Sequence, residues 1–414
     1  MYMPDYYEFC CRVNIVAGHD GLEQIPGLLA SMGAASPMIL TDKGVMAAGL
    51  VDVVTSALGG LHIAAIEDDV PPDSDLDAVS RLAGIYRENG CDAIIAVGGG
   101  SVMDTAKGIN ILVSENSDDL RQFTGAGALK RPLRPLIAVP TTAGTGSEVT
   151  LVAVIADHAD NRKMLFASYF LLPNAAVIDP RMTLTLPAHI TAATAMDALA
   201  HAVESTVMLA KNPISDAHAR EAMILISRHL LPVIADPSDI QGRLALATAA
   251  TMAGIAFSNA MVGMVHAIGH AVGSVCYVPH GTCMAILLPY GLEYNLHRVR
   301  DRVADLLLPL AGPDVFISTP DPDRAGAAVK WIRDFNLALH RATDGRHAVC
   351  FRDVKDSDGI PMVPRTKFND IAGTALGDGA IFYNPEEMDH DDALMVLEAA
   401  WEGAPLDRSR IKKG

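Results

Sequence analysis

From residue 11 to residue 178 short apolar runs alternate with helical patterns, and beyond residue 187 the apolar runs stop. Strand–helix alternation of this kind builds a parallel sheet, because a parallel strand can reach its neighbour only through a long crossover, usually a helix. The runs are CRVNIV (11–16), Met38 to Leu40, LHIAAI (61–66), AIIAV (93–97), LIAV (136–139) and AAVI (175–178). AIIAV shows no polar alternation, as expected of a strand covered on both faces. From Ala188 onward the chain turns to long Ala-, Met- and Leu-rich helical stretches. The pattern predicts an α/β domain with a parallel sheet over residues 1–187 and an all-α domain over residues 188–414. Half the residues are hydrophobic and 20% are charged, enough for two cores, and with aromatics at 5% the filling is aliphatic.

The ends of the strands carry the chemistry of the first half. AIIAV runs into Gly98-Gly99-Gly100-Ser101 and then a helix, VMDTAKGINILV. Glycines there let the backbone approach a phosphate, and the helix N-terminus adds free N–H groups and the positive end of a dipole. The GxGxxG spacing is absent, so a plain tight turn competes with this reading. LIAV runs into Pro140–Thr150, with four threonines, a serine and two glycines in eleven residues. Such a loop cradles a diphosphate or a ribose without positive charge. Two donor-rich loops behind two strands suggest one dinucleotide across the C-terminal edge of the sheet. Asp42 ends another strand, where an acid either binds adenosine ribose hydroxyls or caps the next helix. Lys163 opens an apolar run, where it is either close to a phosphate or ribose or simply solvated. The GAG at 125–127 has no strand directly before it and reads as a loop.

The second half holds a different constellation. Asp197 and His201 are four apart in TAATAMDALAHAVEST and share a helical face, and a carboxylate among alanines needs a partner. Gly263–Cys283 carries His266, His270 and His280 among small and apolar residues, with His280 between a proline and a glycine, on a turn. Taken alone, that stretch reads equally as a helix with packed, hydrogen-bonded histidines. With Asp197 and His201 it supplies three imidazoles and a carboxylate, a set that suits Fe²⁺, Zn²⁺ or Mn²⁺. Glu204, on the same stretch, reads as a supporting or purely structural carboxylate.

A net charge of −17 argues against nucleic acid as a partner. The six cysteines form no CxxC pair and read as reduced thiols of a cytoplasmic protein. The N-terminal stretch lacks a signal-peptide pattern, and no run approaches eighteen uninterrupted apolar residues, so no membrane span is expected. The chain closes on a basic tail, RSRIKKG.

GGGSVMDTAK, PTTAGTGSEVT, AVIDPRMTLTLPAHITAATAMDALAHAVE and GMVHAIGHAVGSVCYVPHG together resemble the iron-containing (group III) alcohol dehydrogenase family, over roughly residues 12 to 400. The resemblance implies a dinucleotide-binding α/β domain, a helical domain, and a metal and active site in the cleft between them. It implies metal ligation by Asp197, His201, His266 and His280, iron first and zinc or manganese as alternatives. His270 then falls on a further active-site histidine that is not a ligand, and it is the candidate for relaying the proton to solvent. Gly99, Gly100 and Ser101 fall on the pyrophosphate loop, Thr141, Thr142 and Ser147 on the second cofactor loop, and Lys163 on a lysine toward the nicotinamide. Asp42 falls on the acid associated with NAD rather than NADP. The implied reaction is hydride transfer between a small primary alcohol or its aldehyde and the nicotinamide, in a homodimer or larger homo-oligomer. Polyol and hydroxyacid dehydrogenases (glycerol- and 4-hydroxybutyrate-type) share the fold and are the alternatives. A dehydroquinate-synthase-like lyase would need a basic pocket, which the Ala- and Met-rich surroundings of the metal motifs oppose. A non-catalytic binding protein would lack a ligand or a phosphate loop, and neither is missing. Two departures stand out: Val70-Pro71-Pro72-Asp73 replaces a Pro-Asn-Pro turn that contributes a cofactor contact, and the loop around 353–365 is longer than in many members.

Overall fold

The computed structural model describes residues 3–160 and 162–411, so the end of the basic tail, 412–414, lies outside the described residues. The chain divides into two compact units, one spanning Cys10–Leu186 and one joining Pro187–Gly414 with the segment that ends at Phe9.

Among the described residues the first unit has nine strands: β1 (Asn14–Ala17), β2 (Pro37–Leu40), β3 (Ala65–Glu67), β4 (Ala93–Gly98), β5 (Gly125–Ala126), β6 (Leu136–Pro140), β7 (Val152–Asp157), β8 (Arg162–Ala167) and β9 (Ala175–Ile178). Six form a parallel sheet in the order β1-β9-β6-β4-β2-β3. β4 is buried at every residue, and its side chains divide by parity as a pleated strand requires. Ile94 and Ala96 join the core under helices Leu76–Glu88 and Gly100–Glu115, while Ala93, Ile95 and Val97 join the core under Ile25–Ser31 and Leu50–Ala57. Helices therefore cover both faces. β4 and β6 are neighbours with Gly98 opposite Pro140, so the two donor-rich loops leave from adjacent strand ends.

A smaller sheet, β5-β8-β7, stands beside the first. It corrects the reading of 125–127 as loop: Gly125 and Ala126 pair in parallel with Phe166 and Ala167. Two paired residues leave no periodicity to read, since the partner strand creates the element.

The second unit is helical. Helix Ala188–Val207 is buried at nearly every position from Ala195 on, which explains its small, apolar composition. Helix Ile240–Ala260 is long and apolar enough to cross a membrane by length and composition alone. It packs instead against helices Ala188–Val207 and Pro213–Ala235 and is largely buried there. The 353–365 segment is a loop that closes on itself through Met362 N–H to Val354 O and Asp356 N–H to Ile360 O, each 3.0 Å.

One buried histidine of this unit gives it a pH dependence. His347 is 3% exposed and holds Nε2 3.0 Å from Asn336 Oδ1. Burial, helped by the nearby His340, pushes its pKa down from 6.5 to about 4. Between those values the unfolded chain binds a proton that the folded chain does not. The stability contribution is therefore intact above pH 6.5 and is lost as pH falls toward 4, by about 3 kcal/mol if fully expressed. His347→Gln, which retains a donor for Asn336, should flatten the fall in Tm between pH 6.5 and 4. An unchanged slope would assign the acid loss elsewhere.

Candidate active site

In the second unit, three helices bring four side chains together. Helix Ala188–Val207 presents Asp197, His201 and Glu204 as one stripe at i, i+4 and i+7. Helix Met264–Cys276 carries His266 in its first turn and His270 one turn on. It ends at Tyr277, whose φ of 59° turns the chain back, and Pro279 then opens the next helix at His280. A Cβ on Gly281 would strike the Ala193 carbonyl, so glycine is what allows the His280 helix to begin against the Asp197 helix.

One ligand atom each from Asp197, His201, His266 and His280 lies within 4.8 Å of the other three. Asp197 Oδ1 is 3.2 Å from His280 Nε2 and 3.9 Å from both His201 Nε2 and His266 Nε2. Asp197 Oδ1 and His266 Nε2 are buried with no hydrogen-bond partner among the described residues, as is His201 Nδ1. Buried polar atoms are almost always satisfied, so Asp197 Oδ1 and His266 Nε2, orphans 3.9 Å apart, fit a divalent cation between them. Burial lowers the pKa of His201 to about 3 and holds that of His266 well below 6.5, leaving neutral imidazoles with lone pairs to give. Burial alone would raise Asp197, but the His201, His280 and His266 imidazoles outweigh it and keep the carboxylate ionised.

Glu204 supports this group. Its Oε2 hydrogen-bonds His266 Nδ1, and its Oε1 accepts from Gly263 N–H and Val265 N–H, each at 3.1 Å. The carboxylate thus fixes the His266 ring with Nε2 toward Asp197 and also occupies the N-terminus of the His266 helix. Burial raises Glu204 to about 7 against those backbone donors. Asn384 Oδ1 accepts from Met264 N–H at 3.2 Å and completes the cap.

His270 is not in the ligand group. Its ring stacks on that of His280 at 5.2 Å, and its Nδ1 lies 2.8 Å from Asp378 Oδ2. Burial would raise Asp378, yet the His270 contact and the Ala380 N–H hold it below the ordinary carboxylate value. Asp378 escaped the sequence reading because 108 residues separate it from His270.

In the first unit the two loops behind β4 and β6 face each other. Cβ atoms placed on Gly99 and Gly100 would meet Thr142 at 3.5 Å and Thr145 at 3.1 Å. Thr141 N–H donates to Gly98 O at 3.1 Å. Gly99 precedes helix Gly100–Glu115 without any side-chain cap, so its first N–H groups suit an anion. Ser101 Oγ donates to Pro72 O, which ties the divergent 70–73 turn to this helix start. Lys163 Nζ pairs with Asp73 Oδ1 of the same turn at 3.0 Å, both side chains being exposed. Asp42 Oδ1 accepts from Val45 N–H at 2.9 Å and so caps helix Lys43–Ala47 at the end of β2.

Ser147 is placed differently from Thr141 and Thr142. Its hydroxyl donates to Asp104 Oδ1 at 3.0 Å and accepts from Lys107 Nζ at 3.2 Å, so it faces the fold. Lys107 also donates to Thr150 O, Thr150 Oγ1 and Val152 O at 2.8–3.0 Å, and Asp104 Oδ2 accepts from Val154 N–H at 2.9 Å. The buried Lys107 and the part-buried Asp104, joined through Ser147, clamp the helix that begins at the glycines to the loop that follows β6. Burial lowers Lys107 to about 8, opposed by the charges of Asp104 and Glu148.

Comparison with known proteins bears on both units. Residues 13–180 match the family described as iron-containing alcohol dehydrogenase, and residues 191–401 match the C-terminal part of the Fe-containing alcohol dehydrogenase family. The NAD-dependent methanol dehydrogenase of Bacillus methanolicus is 36% identical over 86% of this chain and 92% of its own length. The 1,3-propanediol dehydrogenase of Klebsiella pneumoniae is 35% identical over 89% and 92%. A crystal structure of a 1,3-propanediol oxidoreductase superposes with a TM-score of 0.89 at 32% identity, covering 95% of this chain and all of that one.

Proposed function

The chain belongs to the iron-containing alcohol dehydrogenase family, and we propose how its residues divide the work of interconverting a small primary alcohol and its aldehyde with NAD. Asp197, His201, His266 and His280 hold a divalent ion, Fe²⁺ before Zn²⁺ or Mn²⁺. When bound, such an ion polarises a hydroxyl or carbonyl oxygen as a Lewis acid. The observation that carries this reading is the convergence of one ligand atom from each of the four side chains within 4.8 Å, with the buried Asp197 Oδ1 and His266 Nε2 left without hydrogen-bond partners among the described residues.

His270 handles the proton. Asp378 takes its Nδ1 side, which sets the tautomer with Nε2 as the accepting nitrogen. The side chain is 43% exposed, so a proton taken up there can pass to solvent. Gly99, Gly100, Ser101, Thr141 and Thr142 receive the dinucleotide phosphates, Lys163 lies toward the nicotinamide, and Ser147 acts by holding the second loop. Asp42 selects NAD, since a 2′-phosphate would meet its charge. The protein works in the cytoplasm as a homodimer or larger assembly, a reading supported by six free cysteines and by exposed Met3 and Tyr6 near the start of the chain.

The test is metal analysis of the purified protein together with a panel of methanol, 1,3-propanediol, longer primary alcohols, glycerol and 4-hydroxybutyrate, assayed with NAD and NADP. Metal-free protein with full activity on any of them would refute the ligand assignment. Asp42→Gly should raise kcat/KM for NADP at least about tenfold, by removing like-charge repulsion at a partly solvated site. The glycine costs only a few tenths of a kcal/mol as a replacement cap, so the fold does not confuse the readout. An unchanged NAD/NADP ratio would remove Asp42 from cofactor selection.

A further inference from the structure

Of the imidazoles in the ligand group, His201 and His266 are the buried ones, and they are held by different means. His266 has the Glu204 carboxylate behind its Nδ1, the arrangement usual for a ligand histidine, whose outer ring nitrogen meets a carboxylate or carbonyl. His201 lacks one. It faces Asp197 through Nε2, and its Nδ1 is buried with no hydrogen-bond partner among the described residues. Burial keeps this ring neutral, so it carries a single N–H. Offering the Nε2 lone pair to a cation puts that proton on Nδ1, where no described residue accepts it. No hydrogen bond at Nδ1 sets the tautomer or the tilt of this ring.

Stacking holds it instead. The centroid of the Phe257 ring lies 4.1 Å from that of His201 with the planes 15° apart, and the His266 ring lies 4.5 Å away at 26°. Two rings cannot both lie against one face at such distances, so Phe257 and His266 stand on opposite faces of His201. His266 is itself fixed by Glu204, which makes one side of the sandwich rigid. Phe257 makes the other side from helix Ile240–Ala260, which packs against the helix of His201. The terminal torsion of a histidine is soft, and a flat ring on each face removes that freedom. A phenyl ring offers no lone pair, so it orients the imidazole without competing for the cation.

We infer that Phe257 is a positioning residue for the metal: by stacking on His201 it aims Nε2 at Asp197, the part that Glu204 performs for His266. The inference rests on the reading of His201 as a ligand. It assigns to an apolar side chain of a neighbouring helix a task that hydrogen bonds perform at most ligand histidines.

Loading the protein with Co²⁺ against a competing chelator tests it, because the visible absorption of cobalt reports ligand geometry as well as occupancy. Phe257→Leu and Phe257→Met keep an apolar side chain but lose the flat ring. Each should weaken Co²⁺ affinity by about three- to tenfold, the worth of a stacked aromatic pair, and shift the visible bands. Phe257→Tyr keeps the ring and should hold affinity within about twofold of the unaltered protein, with its bands. Leucine and methionine variants that both kept affinity and bands would overturn the inference. So would a loss that tyrosine does not restore, since packing volume rather than stacking would then be at stake. His201→Ala checks the ligand reading separately and should release the Co²⁺. If it kept affinity and bands, that reading would fall and the inference with it; release by His201→Ala beside an unaltered Phe257→Leu would remove the stacking role alone.

Discussion

Replacing His266 or His280 with alanine should release the metal and abolish alcohol oxidation while NADH binding persists. Asp197 is ionised, buried, and ringed by three imidazole nitrogens at 3.2–3.9 Å, so each nitrogen is one quarter of the proposed donor set. Lewis-acid polarisation supplies several kcal/mol, and its loss should lower kcat/KM by about three orders of magnitude or more. Metal content by mass spectrometry should drop in parallel. The glycine and threonine loops belong to the other unit, so the Kd for NADH should stay within about twofold. Glu204→Gln grades the effect: losing the charge behind His266 should weaken metal affinity about 10- to 100-fold without removing a ligand. An alanine variant that retained its metal, or kept full activity after chelation, would show that the four side chains are only a packed cluster. Glu204→Gln with unchanged affinity would reduce that carboxylate to a helix cap.

What the sequence could and could not disclose follows from where each signal is stored. β4 and β6 are covered on both faces, so each leaves a continuous apolar run. The Asp197–His201–Glu204 stripe is legible because helical spacing alone puts three groups on one face. His270 and His266 are one turn apart, yet one meets Asp378 and the other Glu204, a distinction only tertiary contact makes. β5 is formed by its partner, not by its own residues. The placement of Ser147 depends on Lys107, forty residues earlier, although a signal was present: Asp104 and Lys107, at i and i+3, are the two charges in the otherwise uncharged run VMDTAKGINI. Charges on the buried face of a helix need partners, and the donor-rich loop at Pro140–Thr150 supplies them.

Lys107→Met should damage the first unit in two separable ways. Removing the ammonium takes away the nearby positive charge that offsets the desolvation of Asp104, and leaving a carboxylate so uncompensated costs about 3–5 kcal/mol. For a unit of this size that lowers Tm by about 10 °C. The four acceptors of Lys107 also include Ser147 Oγ and both oxygens of Thr150, so the loop behind β6 loses its tie to the helix that starts at Gly100. The Kd for NADH should therefore rise at least about tenfold, because a loop that must be ordered on binding draws on binding energy. Asp104→Asn/Lys107→Met separates the two effects. Removing both charges relieves the unpaired carboxylate, so most of the lost Tm should return. The tie to Ser147 and Thr150 is still broken, so NADH affinity should not return with it. Recovery of both would mean the pair matters only through its charge balance; recovery of Tm alone would establish Lys107 as the residue that positions the second cofactor loop from beneath.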